Sequence, residues 1–170
     1  MVAGSILPIA IYKNQLYFLF GKENPLEDSA KGWSDFGGRM EQGETPYKAA
    51  LREGSEELTG FLGDSTTLSK LIRQNGGVYK CIHNDYHVHM FLMDYDENLP
   101  KYYNNNHTFL WKRMNNETLN KSRLFEKIEI NWFSVSDMKS NRHLFRPFYR
   151  EIVDMILADI KNIKTFITSR

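Results

Sequence analysis

Residues 37–61 read GGRMEQGETPYKAALREGSEELTGF, and the remainder of the chain is best read outward from them. The stretch opens on a glycine pair, Gly37-Gly38, and passes a second turn signal at Gly43. Thr45 is a good N-cap, Pro46 suits the first helical position and Gly60 suits the stop, so the spacing predicts a helix over Thr45–Thr59. On that helix Glu53, Glu56 and Glu57 are spaced i, i+3, i+4, which puts three carboxylates on one face. Like charges at this spacing cost roughly 0.2–0.5 kcal/mol per pair, and the last turns of a helix disfavour anions. A divalent cation turns the repulsion into coordination. Ligands that are all oxygen select a hard ion, Mg²⁺ or Mn²⁺, over zinc. The spacing alone leaves open a glutamate-rich surface helix.

Upstream, Ile6–Tyr12 and Leu16–Phe20 are apolar, β-prone runs and predict a hairpin. Residues 21–32 read as a loop, and Trp33–Phe36 as a short extended segment that Gly37-Gly38 breaks. Downstream, Leu68–Arg73, Val78–His83, His87–Tyr95 and Glu129–Val135 predict strands. Asn98–Arg123 reads as a long loop with a short helix near Glu117. His143–Ile167 carries an apolar stripe of helical period (Phe145, Tyr149, Ile152, Ile156, Ile160, Ile163) and predicts one helix. The sum is an α/β chain, a mixed sheet flanked by helices, with residues 1–170 as a single domain.

At 170 residues and 20.0 kDa the chain is long enough for one domain with a real core. Its one cysteine, Cys81, excludes an internal disulfide framework and an all-cysteine zinc site. No apolar run approaches the roughly 20 residues of a membrane span. The N-terminus lacks a basic leader and is interrupted by Pro8. These features predict a cytoplasmic protein without membrane partners. Residues 1–100 carry 9 Lys/Arg against 14 Asp/Glu, and residues 101–170 carry 13 against 7, so the second half could face an anionic partner.

The quoted stretch closely resembles the Nudix box of the Nudix hydrolases, G-x5-E-x7-R-E-U-x-E-E-x-G-U, where U is bulky and aliphatic. Gly38, Glu44, Arg52, Glu53, Glu56 and Glu57 all fall in register. Two positions depart from it: Gly54 stands where an aliphatic residue is usual, leaving one core contact unfilled, and the closing glycine, Gly60, comes one residue late. The resemblance implies a Nudix-type α/β/α sandwich. It also implies a Mg²⁺-dependent (or Mn²⁺-dependent) pyrophosphohydrolase that cleaves a diphosphate linkage in a nucleotide, nucleotide sugar, dinucleoside polyphosphate or RNA cap. The alternative is a catalytically inactive Nudix-fold module that binds a nucleotide or RNA. By the same resemblance Glu53, Glu56, Glu57 and the carbonyl of Gly38 hold the metal. Arg52 and Glu44 orient those ligands, and Glu53 or Glu126 is the general base. Glu126 precedes Trp132 by six residues, in the segment before the family's late strand.

Outside the box, Tyr102, Tyr103, Trp111, Lys112 and Arg113 interleave aromatics with bases, a composition that can stack a base and hold phosphates. Trp33 is a further pocket candidate, although core packing is the first reading of it. The strand histidines His83, His87 and His89 predict ordinary sheet residues, because a zinc site needs three or four convergent ligands.

Overall fold

The N-terminal hairpin turns where its sequence allows. In the computed structural model, which describes residues 1–122 and 125–169, β1 (Ala3–Tyr12) and β2 (Gln15–Glu23) are joined by Lys13 and Asn14, with φ of 49° and 61°. A two-residue hairpin needs that left-handed backbone to match the twist of its strands. On one edge β1 pairs in parallel with β6 (Tyr86–Leu92), which pairs with β5 (Tyr79–His83). On its other edge β1 changes partner: residues 3–6 pair with β4 (Phe36–Arg39) and residues 9–12 with β2. Leu7 and Pro8 fall between the two pairings, where a missing N–H costs that edge no ladder bond. Beyond the split β2 pairs with β3 (Trp33–Ser34), and along its other edge, from Tyr17 to Glu23, it pairs with β7 (Lys127–Ser134). The sheet therefore forks, and the fork is where the site lies.

Gly37 and Gly38 do not end the extended segment, as the sequence reading expects; β4 runs through both. A Cβ on Gly37 would fall 2.3 Å from Cβ of Ser5, so glycine is what permits this pairing. Helices cover both faces. On one face α1 (Pro46–Glu57), α2 (Ser65–Gln74) and α3 (Asn98–Trp111) cover Ile6, Ala10, Leu19, Phe36 and Ile130. On the other, α5 (Val135–Ser140), α6 (Arg150–Ala158) and α7 (Ile160–Thr168) cover Leu7, Ile9, Phe18, Phe20 and Val88. This is the α/β/α sandwich. Among the described residues no helix is long and apolar enough to cross a membrane.

Three expected elements differ. Leu68–Arg73 lies in α2, not a strand: Asp64 caps the helix by accepting from Thr67 N–H at 2.8 Å, and Leu68, Leu71 and Ile72 have helical spacing. Asn98–Arg123 is not a long loop. It contains α3 and α4 (Asn116–Ser122), with Arg123 outside the described residues. Packing of Leu99, Tyr103 and His107, four residues apart, overrides the weak helix propensity of Asn104–Asn106. The late helix is broken into 3₁₀ turns at Arg142–Leu144 and Pro147–Tyr149, followed by α6 and α7.

The two departures in the box have structural answers. Gly54 leaves no contact unfilled. A Cβ there would lie 2.5 Å from Cγ1 and Cδ1 of Ile6, which already occupies the space. The late glycine shifts strain onto Thr59, which takes the left-handed position closing α1, with φ 50°. Thr59 N–H donates to Glu56 O at 2.9 Å and Gly60 N–H to Ser55 O at 3.0 Å, the paired bonds of a Schellman ending. A β-branched residue is strained there, and Thr59 Oγ1 is buried without a partner. Thr59→Gly is expected to raise stability by about 1 kcal/mol, read as a higher denaturation midpoint with unchanged m-value.

Candidate functional site

α1 is positioned first at its N-terminus. Thr45 Oγ1 accepts from Lys48 N–H at 3.2 Å, and Ala49 and Ala50 are fully buried against the sheet. A Cβ on Gly4 would lie 1.8 Å from Pro46 O, so β1 meets the helix at backbone contact. This close seat aims the last two turns of α1 into the fork.

Arg52 organises the rim. Its Nε and Nη2 donate to the two oxygens of Glu44 at 2.8 and 3.0 Å, and Nη1 donates to Glu53 Oε1 at 2.6 Å. Nη2 also donates to Arg39 O at 3.1 Å, and Nη1 lies 3.9 Å from Glu56 Oε2. The bidentate bond, aided by Glu41 N–H, holds the Glu44 carboxyl down at about 2, from an ordinary 4.5.

Glu57 lies deeper, 6% exposed. One oxygen accepts from Gly37 N–H in β4 at 2.9 Å, and the other is 3.9 Å from Lys127 Nζ in β7. Glu57 therefore spans the two arms of the fork. Burial pushes its carboxyl well above the ordinary range; Lys127 opposes this, while Glu23, Glu126 and Glu53 add to it. Glu126, next to Lys127, is likewise raised by burial and then by the neighbouring carboxylates, Glu53 first. Residues distant in sequence (Glu23, Glu53, Glu57 and Glu126) thus feel one another electrostatically.

Lys127 is a functional-region residue that sequence reasoning missed. It is 1% exposed, with Nζ donating to Glu23 Oε2 at 3.0 Å and Ser34 Oγ at 2.9 Å. Burial alone would raise the Glu23 carboxyl; Lys127, Ser29 and Arg146 outweigh it and hold it low. Lys127 falls just before the strand expected over Glu129–Val135, and Glu23 falls in a stretch read as loop, so no local pattern exposes the pair. Tyr103, from α3, ties the same region together: its hydroxyl donates to Glu57 O at 2.7 Å and lies 3.2 Å from Lys127 O. Asp35 was missed too. Fully buried behind the fork, it accepts from Ser5 Oγ and Tyr86 OH, each at 2.6 Å.

The donor set suits a hard cation. A Cβ on Gly38 would lie 2.5–2.7 Å from the Glu53 carboxyl atoms, so that carboxylate rests against the Gly38 backbone in a space only glycine leaves. All nearby donors are oxygens. Among the described residues no three His, Cys, Asp or Glu side chains stand together at metal-ligand spacing. Glu53 and Glu57 are engaged by Arg52 and by the Gly37 N–H.

The other candidates separate. Trp111 and Lys112 border a cavity between α3 and β7. Tyr102 is 61% exposed, beside Lys101, and Arg113 stacks on Phe109 at 3.5 Å, so neither faces that cavity. Trp33, 7% exposed, packs edge-on to Phe133 at 4.9 Å in the core, because β3 buries it beneath α5 and α6. His89 is a satisfied core histidine: Nδ1 donates to Ser5 O at 3.0 Å.

The NUDIX domain family matches residues 6–156. Among curated proteins none matches the chain. Several solved structures do. A mutT/nudix family protein from Listeria innocua is 13% identical, with 96% of each chain covered and a TM-score of 0.51. A Nudix hydrolase from M. smegmatis is 12% identical, covering 96% of this chain and 88% of that one, with a TM-score of 0.55. A bifunctional NMN adenylyltransferase/ADP ribose pyrophosphatase from Francisella tularensis, complexed with AMP and a Mn ion, is 16% identical; the match covers 92% of this chain and 42% of that one, with a TM-score of 0.50. At these identities the likeness is one of fold.

Two outcomes follow from the ion pairs. Lys127→Met strands two buried carboxylates and is expected to cost about 3–5 kcal/mol near neutral pH, with part recovered in the Lys127→Met/Glu23→Gln double variant; urea denaturation of both checks this. Glu44 has a depressed folded pKa, so its contribution is present above 4.5 and lost as pH falls through about 2. Glu44→Gln should therefore be less stable than the parent at neutral pH, with the gap closing toward that acid limit in a pH series of melts.

Proposed function

The chain belongs to the NUDIX family, as a hydrolase acting on phosphoric anhydrides, and from that premise we propose that it cleaves the diphosphate linkage of a nucleoside diphosphate derivative with a divalent cation, Mg²⁺ or Mn²⁺. The observation that carries this reading is the burial of Glu57 at the end of α1, with one oxygen on the Gly37 N–H of β4 and the other 3.9 Å from Lys127 Nζ of β7. A surface helix that merely happened to be rich in glutamate would not bury one of its carboxylates against two strands. The Mn ion and AMP described for the Francisella tularensis protein are consistent with the same chemistry.

In this reading Glu53, Glu56, Glu57 and the Gly38 carbonyl hold the cation, which supplies neutralisation of the diphosphate charge when bound. Arg52, gripped by Glu44, fixes the direction of Glu53. Glu126 is the general base. Its burial and its anionic neighbours raise its proton affinity, which suits a group that takes a proton from attacking water. The bond formed joins that water oxygen to phosphorus, and the bond broken is the bridging P–O bond. Two phosphate-bearing fragments leave. The resemblance also admits an inactive binding module, but every box carboxylate is present at its position.

The test is hydrolysis of a panel of nucleoside triphosphates, nucleotide sugars, dinucleoside polyphosphates and capped RNA, with and without Mg²⁺. Turnover should disappear on chelation. Glu57→Gln and Glu126→Gln should each lower kcat by about 10²-fold or more. Metal-independent turnover, or turnover unchanged in both variants, would refute the assignment.

A further inference from the structure

The segment that carries Glu126 is held by its backbone. Where β7 begins, its ladder with β2 breaks register: Lys22 faces Glu129 and Glu23 faces Lys127, so Ile128 has no partner across the strands. Such a bulge disrupts the ladder locally and re-aims nearby side chains. Three consecutive carbonyls here are met by two residues from elsewhere in the chain. Asn24, just past β2 and 3% exposed, donates its side-chain amide to Phe125 O at 2.6 Å and its N–H to Glu126 O at 2.9 Å. Tyr103 OH lies 3.2 Å from Lys127 O. The Glu126 carboxylate itself has no hydrogen-bond partner among the described residues, so its direction follows from its backbone.

Tyr103 joins that segment to the carboxylate end of α1. Its hydroxyl donates to Glu57 O at 2.7 Å, with Lys127 O as the longer acceptor of the same proton. Glu57 O is open to it because the N–H groups of residues 58–61 turn back to Gly54, Glu56, Ser55 and Leu58. Helix ends leave carbonyls unpaired, and burial demands a partner for them. The reach of the hydroxyl is fixed by what holds α3. Asn104 brackets one residue of β7, donating to Ile130 O at 3.0 Å and accepting from Ile130 N–H at 2.8 Å. The Tyr103 ring is fully buried, stacked on His107 at 3.8 Å and edge-on to Phe61 at 5.3 Å. His107 Nδ1 donates to Tyr103 O at 2.8 Å, which fixes the backbone beneath the ring. Asn24 is as firmly set, since its Oδ1 accepts from Leu26 N–H at 2.8 Å. The Glu126 segment therefore has a rigid residue on each side, and one of the two also grips Glu57.

We infer that Tyr103 and Asn24 are positioning residues of the hydrolase: together they fix the Glu126 backbone against the end of α1 and so set where the Glu126 carboxylate meets the attacking water. The inference rests on the hydrolase reading with Glu126 as its base. Both residues act through Glu126, and neither takes part in the chemistry itself. A displacement of about 1 Å at a reacting group can cost on the order of 10²-fold in rate, so a tether that holds the base has a kinetic signature apart from its effect on stability.

A kinetic double-mutant cycle tests it, run at saturating Mg²⁺ on the panel substrate that the parent hydrolyses fastest, at a temperature where melting curves show every variant folded. Tyr103→Phe keeps the buried ring and loses only the hydroxyl. It should lower kcat about 10-fold and leave KM within about 2-fold. In the Glu126→Gln background, where no base is left to place, the same change should lower kcat by less than about 2-fold. Asn24→Ala goes through the same cycle with the same expectation, and decides the matter if Tyr103→Phe does not fold. Tyr79→Phe is the control: it loses a hydroxyl bond to Asp159 on the other face of the sheet and should keep the parental kcat. A hydroxyl that only stabilises the fold would lower the melting point and leave the kcat of folded protein unchanged. Unchanged kcat, an equal loss with and without Glu126, or a loss matched by Tyr79→Phe would overturn the inference and leave the hydrolase reading standing. A parent with no metal-dependent turnover would overturn the hydrolase reading, and the inference with it.

Discussion

A buried ammonium makes the fork possible. Lys127 Nζ sits among Glu23, Ser34 and Glu57, each from a different segment, where the arms of the sheet part. Removing carboxylates from water is unfavourable unless opposite charge accompanies them. Lys127 supplies that charge to Glu23 at hydrogen-bond distance and to Glu57 less closely. The asymmetry shows in the two carboxyls: Glu23 is held low, whereas burial still dominates at Glu57. The deepest carboxylate of α1 is therefore held in place between the Gly37 N–H and Lys127.

The rim follows another logic. Arg52 is tied to Glu44 and Glu53, partly exposed, and joins the loop after β4 to the last turns of α1. Backbone contact does the rest of the positioning. Gly4 admits the start of α1, Gly37 admits β1, and Gly38 admits the Glu53 carboxylate. At each place the glycine marks where two segments approach too closely for a side chain. Gly54 belongs with them, since Ile6 from β1 fills its place.

The region beyond the box was the least legible. Asn98–Trp111 offers little helix propensity, and its apolar residues are too few to mark a core-facing stripe. Part of its inward face lines a cavity instead of filling a core, so the periodic signal is weak for a physical reason. α2 reads as a strand because Leu68, Leu71 and Ile72 make a run short enough to pass for one, while the Asp64 cap that marks it as a helix lies outside that run. The broken late helix kept its buried stripe: Phe145, Tyr149, Ile152, Ile156 and Ile163 are all in the core.

The sequence by itself determined α1, its N-cap, the hairpin and the i, i+3, i+4 carboxylates, because each depends on neighbours within a few residues. It also determined the family, since charged residues at fixed spacing along one helix leave a readable pattern. Only the tertiary structure decided that Lys127 and Glu23 are buried together, that Asp35 is shut in by Ser5 and Tyr86, and that His107 borders a cavity. Those contacts join residues 30 to 104 positions apart or depend on helix–strand packing, and burial of a charge is fixed by what the whole fold brings against it.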